Sequence, residues 1–215
     1  MTLSASAGTI ALCGGAPFTG NDELDRRLLA DAGASRVVVL PTADAFEEPA
    51  VLVAASMSWA ERLDVDVEAL MVLQRHDAED EGAAGVVRGA SAVYVVGDSS
   101  MHLRSALKGT RVLAALGDML GQGGLVVGVG PSAAALCDPM LDQRGGAFTI
   151  GLGLVTGLAV IPDADSESEE RRQRTLSLAD TTVVELPAGS AVVRRDGVWE
   201  LVGDPTIHGD LPVLS

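Results

Sequence analysis

Short runs of aliphatic residues, separated by stretches of helical period, leave this chain little choice of architecture. Thr9-Ile10-Ala11-Leu12 ends in Cys13-Gly14-Gly15, and Val37-Val38-Val39-Leu40 is closed by Pro41. Val93-Tyr94-Val95-Val96 stops at Gly97, and Leu125-Val126-Val127 runs into Gly128-Val129-Gly130-Pro131-Ser132. Each run has the length and β-branched content of a strand buried on both faces, bounded by turn residues. Val65, Val67, Ala69 and Met71 recur at every second position and predict one more strand. Asn21 can cap a helix through Leu24, Leu28 and Leu29 that Gly33 stops, and Pro49 suits the first position of a helix reaching residue 63. A weaker helix is expected over 77–88, interrupted by Gly82 and Gly85. Ser100 caps another over 101–108, and one more follows from Thr110. This alternation, joined by right-handed crossovers, predicts an α/β fold with a doubly wound, mostly parallel sheet covered on both faces.

The last third departs from the pattern. Residues 151–157 are glycine-rich and precede a strand at Leu158-Ala159-Val160-Ile161. A charged helix is expected over 166–179, then strands over 182–186, 191–195 and 198–202. Asp196-Gly197 between the last two signals a C-terminal β-hairpin. All 215 residues are read as one domain, 1–215.

Charge narrows the partners. Lys and Arg total 15 against 30 Asp and Glu, a formal net charge of −15. A polyanion of this kind repels phosphate backbones and anionic lipid, so neither nucleic acid nor a membrane surface is an expected partner. A hydrophobic fraction of 47% and a mean hydropathy of +0.30 exclude intrinsic disorder. No uninterrupted apolar stretch is long enough to span a bilayer, and residues 1–7 lack the basic and apolar segments of a cleaved leader. Cys13 and Cys137 each sit in an apolar stretch, which reads as two reduced thiols in a cytoplasmic protein. Gly14-Gly15 and Gly121-Gln122-Gly123-Gly124 form neither a dinucleotide fingerprint nor a phosphate loop, and no cofactor is expected.

In an open parallel sheet, ligands bind beyond the carboxyl ends of the strands. Three such ends stand out: Cys13-Gly14-Gly15, Gly97-Asp98-Ser99-Ser100 and Gly130-Pro131-Ser132-Ala133-Ala134-Ala135. The third has the form of a nucleophile elbow, with small residues two positions either side of Ser132 where strand and helix nearly touch. A serine that merely caps a helix after a glycine turn gives the same pattern. As an elbow, Ser132 is the nucleophile position and the Ala133 N–H faces a developing oxyanion. Asp163, Asp165, Glu167 and Glu169 form an acidic run, and Asp138 and Asp142 follow the elbow. Their spacing fits no defined metal loop, and acids at a helix start favour its dipole, so no metal site is expected.

With these stretches in order, the chain resembles the cyanophycinase and dipeptidase E family of serine peptidases. That family has the class I glutamine amidotransferase-like fold, a flavodoxin-like three-layer sandwich. The resemblance rests on Leu12-Cys13-Gly14-Gly15, Val39-Leu40-Pro41-Thr42-Ala43, Val95-Val96-Gly97 before Met101-His102-Leu103, and Gly130-Pro131-Ser132-Ala133-Ala134-Ala135. Gly151-Leu152-Gly153-Leu154, Val160-Ile161-Pro162 and the arginines Arg171, Arg172 and Arg174 complete it. It implies a nucleophile at Ser132, a pocket at Gly14 and Gly15, and an oxyanion site built from Gly97, Asp98 and Ala133.

The departures fall on those same positions. The family's Ser-Ala-Gly-Ala is Ser132-Ala133-Ala134-Ala135 here, its Gly-Gly pair is Gly97-Asp98, and its general-base histidine is replaced by Asp163. The chain's three histidines, His76, His102 and His208, lie elsewhere. A serine hydroxyl without a base is a weak nucleophile at neutral pH, and losing one member of a triad typically costs about 10⁴ to 10⁶ in turnover. The expectation is therefore a catalytically degenerate homologue that binds a small peptide or acidic amino-acid ligand, or acts as an interaction partner. The alternative is an active serine hydrolase on aspartyl or β-aspartyl peptide bonds, with His102 or His208 as a relocated base. The resemblance and the general frequency of two-fold assemblies also favour a homodimer.

Overall fold

The central strands are apolar on both faces, and the structure covers both. In the computed structural model, which describes residues 8–212, strands β1 (Thr9–Cys13), β2 (Arg36–Leu40), β3 (Asp66–Ala69), β4 (Ala92–Val95) and β5 (Leu125–Val129) lie parallel in the order β1-β5-β4-β2-β3. The leader expectation for residues 1–7 lies outside the described residues. Helices α1 (Asp22–Asp31) and α2 (Pro49–Leu63) cover one face. The other is covered by α3 (Arg75–Ala78), α4 (Glu81–Arg88), α5 (Ser100–Leu107), α6 (Arg111–Gly121) and α7 (Pro131–Leu136). Strand side chains alternate between the two cores: Ile10, Leu12, Val38 and Leu40 join the second group of helices, and Ala11, Cys13, Val37 and Val39 join the first. No helix among the described residues is long and apolar enough to cross a membrane.

After α7 the chain leaves the main sheet. Strands β6 (Cys137–Asp138), β7 (Met140–Asp142), β8 (Ala147–Thr149) and β9 (Val155–Thr156) form two small pairs, β6 with β9 and β7 with β8. Strand β10 (Leu158–Pro162), helix α8 (Glu169–Ser177) and strand β11 (Thr182–Leu186) follow. Strands β12 (Ala191–Arg195) and β13 (Val198–Val202) then rejoin the main sheet as an antiparallel hairpin beside β1, making β13 its outer edge. Asp196 and Gly197 both have positive φ (48° and 76°), the backbone of the tight turn that matches strand twist. Strand β14 (Thr206–His208) pairs with β11, so β10, β11 and β14 form a separate three-stranded sheet.

Several boundaries differ from the sequence expectation for local reasons. The helix expected over 77–88 is split at Glu79 and Asp80, not at a glycine. Asp77 accepts the N–H groups of Leu73 and Gln74, and Asp80 accepts that of Ala83 at 2.7 Å, so two side-chain caps make two helices. Ser99 rather than Ser100 caps α5, accepting the His102 N–H at 3.2 Å. Asn21 stands at the start of α1 but gives its amide to the Gly14 carbonyl instead, tying the helix to the loop after β1.

A carboxylate lies within the α1–α2 core. Asp25, 4% exposed, accepts the Trp59 indole N–H and the Tyr94 hydroxyl, each at 2.9 Å, and Phe18 packs on both rings. Burial pushes the Asp25 carboxyl up to about 6, against the two hydrogen bonds that favour its anion. The folded state thus holds this proton more tightly than the unfolded chain. Its contribution to stability falls as pH rises from about 4 to about 6 and is level above that.

The gap between about 6 and the unperturbed 3.8 corresponds to about 3 kcal/mol. Asp25→Asn removes the ionisation. Its stability relative to wild type, read from urea unfolding, is therefore expected to rise by about 2–3 kcal/mol between pH 4 and pH 7. A difference that does not change with pH would contradict the buried-anion account.

Candidate functional site

The elbow is built by close backbone approach. A Cβ on Gly128 would lie 2.7 Å from the Leu136 side chain and 2.9 Å from the Ala133 Cα, so a glycine in β5 lets α7 sit directly on the strand. Gly130 turns the chain at φ +56°, its N–H held by the Cys13 carbonyl at 2.9 Å, and Pro131 opens the helix. Ser132 follows, fully buried, and its hydroxyl donates to the Gly97 carbonyl at 3.0 Å.

Gly97 supplies that carbonyl from the end of β4. Its φ of +118° belongs to glycine, and a Cβ there would lie 2.6 Å from Asp44 Oδ1 and 2.7 Å from the Asp44 nitrogen. Asp44 is the last residue of a 3₁₀ turn, Thr42–Asp44, anchored by the Thr42 hydroxyl on the Val72 carbonyl at 2.7 Å. Its carboxylate accepts the Asp98 N–H at 2.6 Å. The Ala133 N–H, expected to face an oxyanion, donates to the Gly130 carbonyl at 2.9 Å. Two of the three sequence-predicted oxyanion residues thus have their backbone donors engaged within the protein.

Asp163 reaches the same place from the end of β10. It adopts φ +53°, and its Oδ1 accepts the Gly15 N–H at 2.8 Å. Gly14 has no room for a side chain, since a Cβ would lie 2.3 Å from the Pro187 carbonyl oxygen and 2.5 Å from that of Leu186. The loop after β1 is therefore pressed between the elbow and the loop after β11. A Cβ built on Gly130 would lie 3.7 Å from Asp163 Oδ2, which puts this carboxylate beside the elbow turn.

The site is electronegative. Burial raises the Asp98 carboxyl above its usual range, and the charges of Asp44, Asp163 and Glu47 add to the effect. Burial also raises Asp163, opposed by the Gly15 N–H and assisted by Asp165.

The structure turns the histidines elsewhere. His102 Nε2 lies 2.8 Å from the Leu73 carbonyl, with the ring edge against Phe46. His208, the other candidate for a relocated base, stands in β14 with Nε2 2.8 Å from Glu185 Oε1. His76 pairs with neighbouring Asp77. The acidic run disperses too: Asp165 accepts the Ala188 N–H, Glu167 pairs with Arg171, and Glu169 with Arg172. Among the described residues no three His, Cys, Asp or Glu side chains converge to hold a metal ion. Cys137 is buried and free, its thiol pushed up to about 12 by burial. Asp44 is the site residue that sequence reasoning missed, although it directly follows Pro41-Thr42-Ala43 at a strand end.

Residues 10–202 match peptidase family S51. No curated protein matches the chain. A crystal structure of a peptidase from an acI-B1 Actinobacterium superposes with a TM-score of 0.85 at 23% identity, covering 95% of this chain and 91% of that one. A crystal structure of a protein assigned to peptidase E from Listeria monocytogenes EGD-e superposes with a TM-score of 0.70 at 18% identity, covering 90% and 97%. These likenesses show the shared fold, a glutamine amidotransferase-like α/β sandwich.

Asp44→Ala removes the like charge that raises the Asp98 carboxyl most. The Asp98 titration, followed by side-chain carboxyl carbon shifts in NMR, is expected to move down toward the ordinary aspartate range. An unmoved titration would show that Asp44 does not act on it.

Proposed function

The chain belongs to peptidase family S51, and we propose that it is a member without hydrolytic activity, keeping the strand-end site for binding. The observation that carries this reading is the Ser132 hydroxyl, which gives its proton to the Gly97 carbonyl at 3.0 Å. A backbone carbonyl is no general base, because it cannot keep the proton it is offered. The residue at the family's histidine position is Asp163, whose Oδ1 is occupied by the Gly15 N–H. Even raised by burial, a carboxylate is a weak base toward an alcohol whose pKa lies far above 7.

Electrostatics points the same way. An oxyanion needs donors, and here the Asp98 N–H is taken by Asp44 and the Ala133 N–H by Gly130. A carboxylate about 4 Å from a developing oxyanion adds about 4 kcal/mol of repulsion at an effective dielectric of 20, or roughly a thousandfold in rate. These effects compound the missing base. The ligand we propose is a small peptide presenting its amino end. An acidic amino acid, also expected from the sequence, fits the carboxylates of Asp44, Asp98 and Asp163 less well. Two free buried thiols support a cytoplasmic setting.

Aspartyl and β-aspartyl dipeptides, incubated with wild type and with Ser132→Ala, are expected to be cleaved at the same background rate. Cleavage by wild type that disappears in Ser132→Ala would overturn the proposal.

A further inference from the structure

The two edges of the main sheet are finished differently. Strand β3 carries Asp66 and Glu68, with Asp64 just before it; Glu68 is paired with Arg36 at 2.5 Å, so a second copy approaching that edge meets the carboxylates of Asp64 and Asp66. This is a familiar protection of an edge strand. Strand β13, at the opposite edge, is Val198-Trp199-Glu200-Leu201-Val202. It has no proline and no lysine, and Val198 and Leu201 are 68% and 46% exposed. Its strand neighbour among the described residues is β12 alone. Its single charge, Glu200, is neutralised by Arg27 of α1 at 2.5 Å. A groove of about 530 Å³ runs beside it, lined by Leu24, Arg27, Glu200, Leu201 and Val202 among others.

We propose that β13 pairs antiparallel with β13 of a second copy of this chain, about a two-fold axis at Glu200. The strand is self-complementary in that register. Val198 faces the partner's Val202, Trp199 faces the partner's Leu201, and the reciprocal pairs repeat across the axis. Aromatic–aliphatic and β-branched cross-strand pairs are the stabilising units of antiparallel sheets. The two copies of Glu200 meet at the axis, where like charges would repel. Each brings its own Arg27 on the same face, so the centre is a neutral quartet of two arginines and two glutamates.

Alternation fixes which side chains go where. Val202 packs with the α1–α2 core and Glu200 meets Arg27, so Val198, Glu200 and Val202 share the α1 face. On that face the partner's Val198 enters the groove beside α1. On the other face Trp199, packed against the opposite core with Arg194 5.8 Å from its ring, covers the partner's Leu201. An isologous contact of this type closes after two copies and extends the seven-stranded sheet across the axis. For a chain of net charge −15, association is feasible where the surface is locally neutral; β13 has one charge, and it is paired, whereas the β3 edge keeps Asp64 and Asp66 beside the Arg36–Glu68 pair.

Analytical ultracentrifugation of the full chain at micromolar concentration tests this. Wild type is expected at about 44 kDa, twice the 22.0 kDa chain. Leu201→Lys and Val198→Lys, both at exposed positions, are expected at the single-chain mass with unchanged circular dichroism. Arg27→Glu is expected to dissociate the pair by making the centre wholly acidic, and Arg27→Glu with Glu200→Arg to restore it. Asp66→Lys on the β3 edge is expected to leave the dimer intact. A monomeric wild type, a dimer that survives both lysine variants, or a dimer lost in Asp66→Lys would each overturn the proposal.

Discussion

The hydrogen bond from Ser132 to the Gly97 carbonyl depends on how closely β4, β5 and α7 approach, and the rest of the site is arranged around that approach. Gly128 lets the helix settle on its strand, Gly130 turns the chain, and Gly97 brings the neighbouring strand end within reach. A side chain at Gly128 or Gly97 would meet atoms at under 3 Å. The turn has the close backbone approach of a nucleophile elbow, and the Ser132 hydroxyl in it donates to a carbonyl at 3.0 Å. A buried hydroxyl must still find a partner, and the nearest carbonyl serves.

Two more backbone donors of the site are satisfied from within the protein. Asp44 takes the Asp98 N–H and Asp163 takes the Gly15 N–H. Each is a charge-assisted bond that rigidifies a strand-end loop. The consequence is that Asp44, Asp98 and Asp163 bring their carboxylates together at neighbouring strand ends. The raised titrations of Asp98 and Asp163 report that crowding, with burial as the larger cause in both. Two backbone donors beside Ser132, the N–H groups of Asp98 and Ala133, are bonded within the protein.

Much of this was legible in the residues. The buried strands announced themselves as aliphatic runs, Pro49 marked the start of α2, and Asp196-Gly197 marked the hairpin. The tight turn at Gly130-Pro131-Ser132 was readable in its small residues, and the resemblance alone set Asp163 against the family's histidine. What escaped notice depended on contacts distant in sequence. Asp44 acts on Asp98 through a 3₁₀ turn that only the folded β2 and β4 bring together. Asp25 looks like one acid among the charged residues of α1, although it lies three and four residues before Leu28 and Leu29 on the buried face. The short strands β6 to β9 and β14 carry too few residues for a period to show, and the runs that form β10 and β11 read as strands without saying which sheet they join. The split between α3 and α4 went to two aspartate caps instead of the glycines, which α4 tolerates in its interior.

The central claim is chemical: the Ser132 oxygen is not activated. Fluorophosphonates form a covalent bond with a serine oxygen only when a base makes it nucleophilic, so intact-mass spectrometry after exposure of the wild-type chain to such a probe, from pH 6 to pH 9, reads this property without assuming a substrate. The account predicts an unmodified chain throughout. An adduct mapped to Ser132 would contradict it.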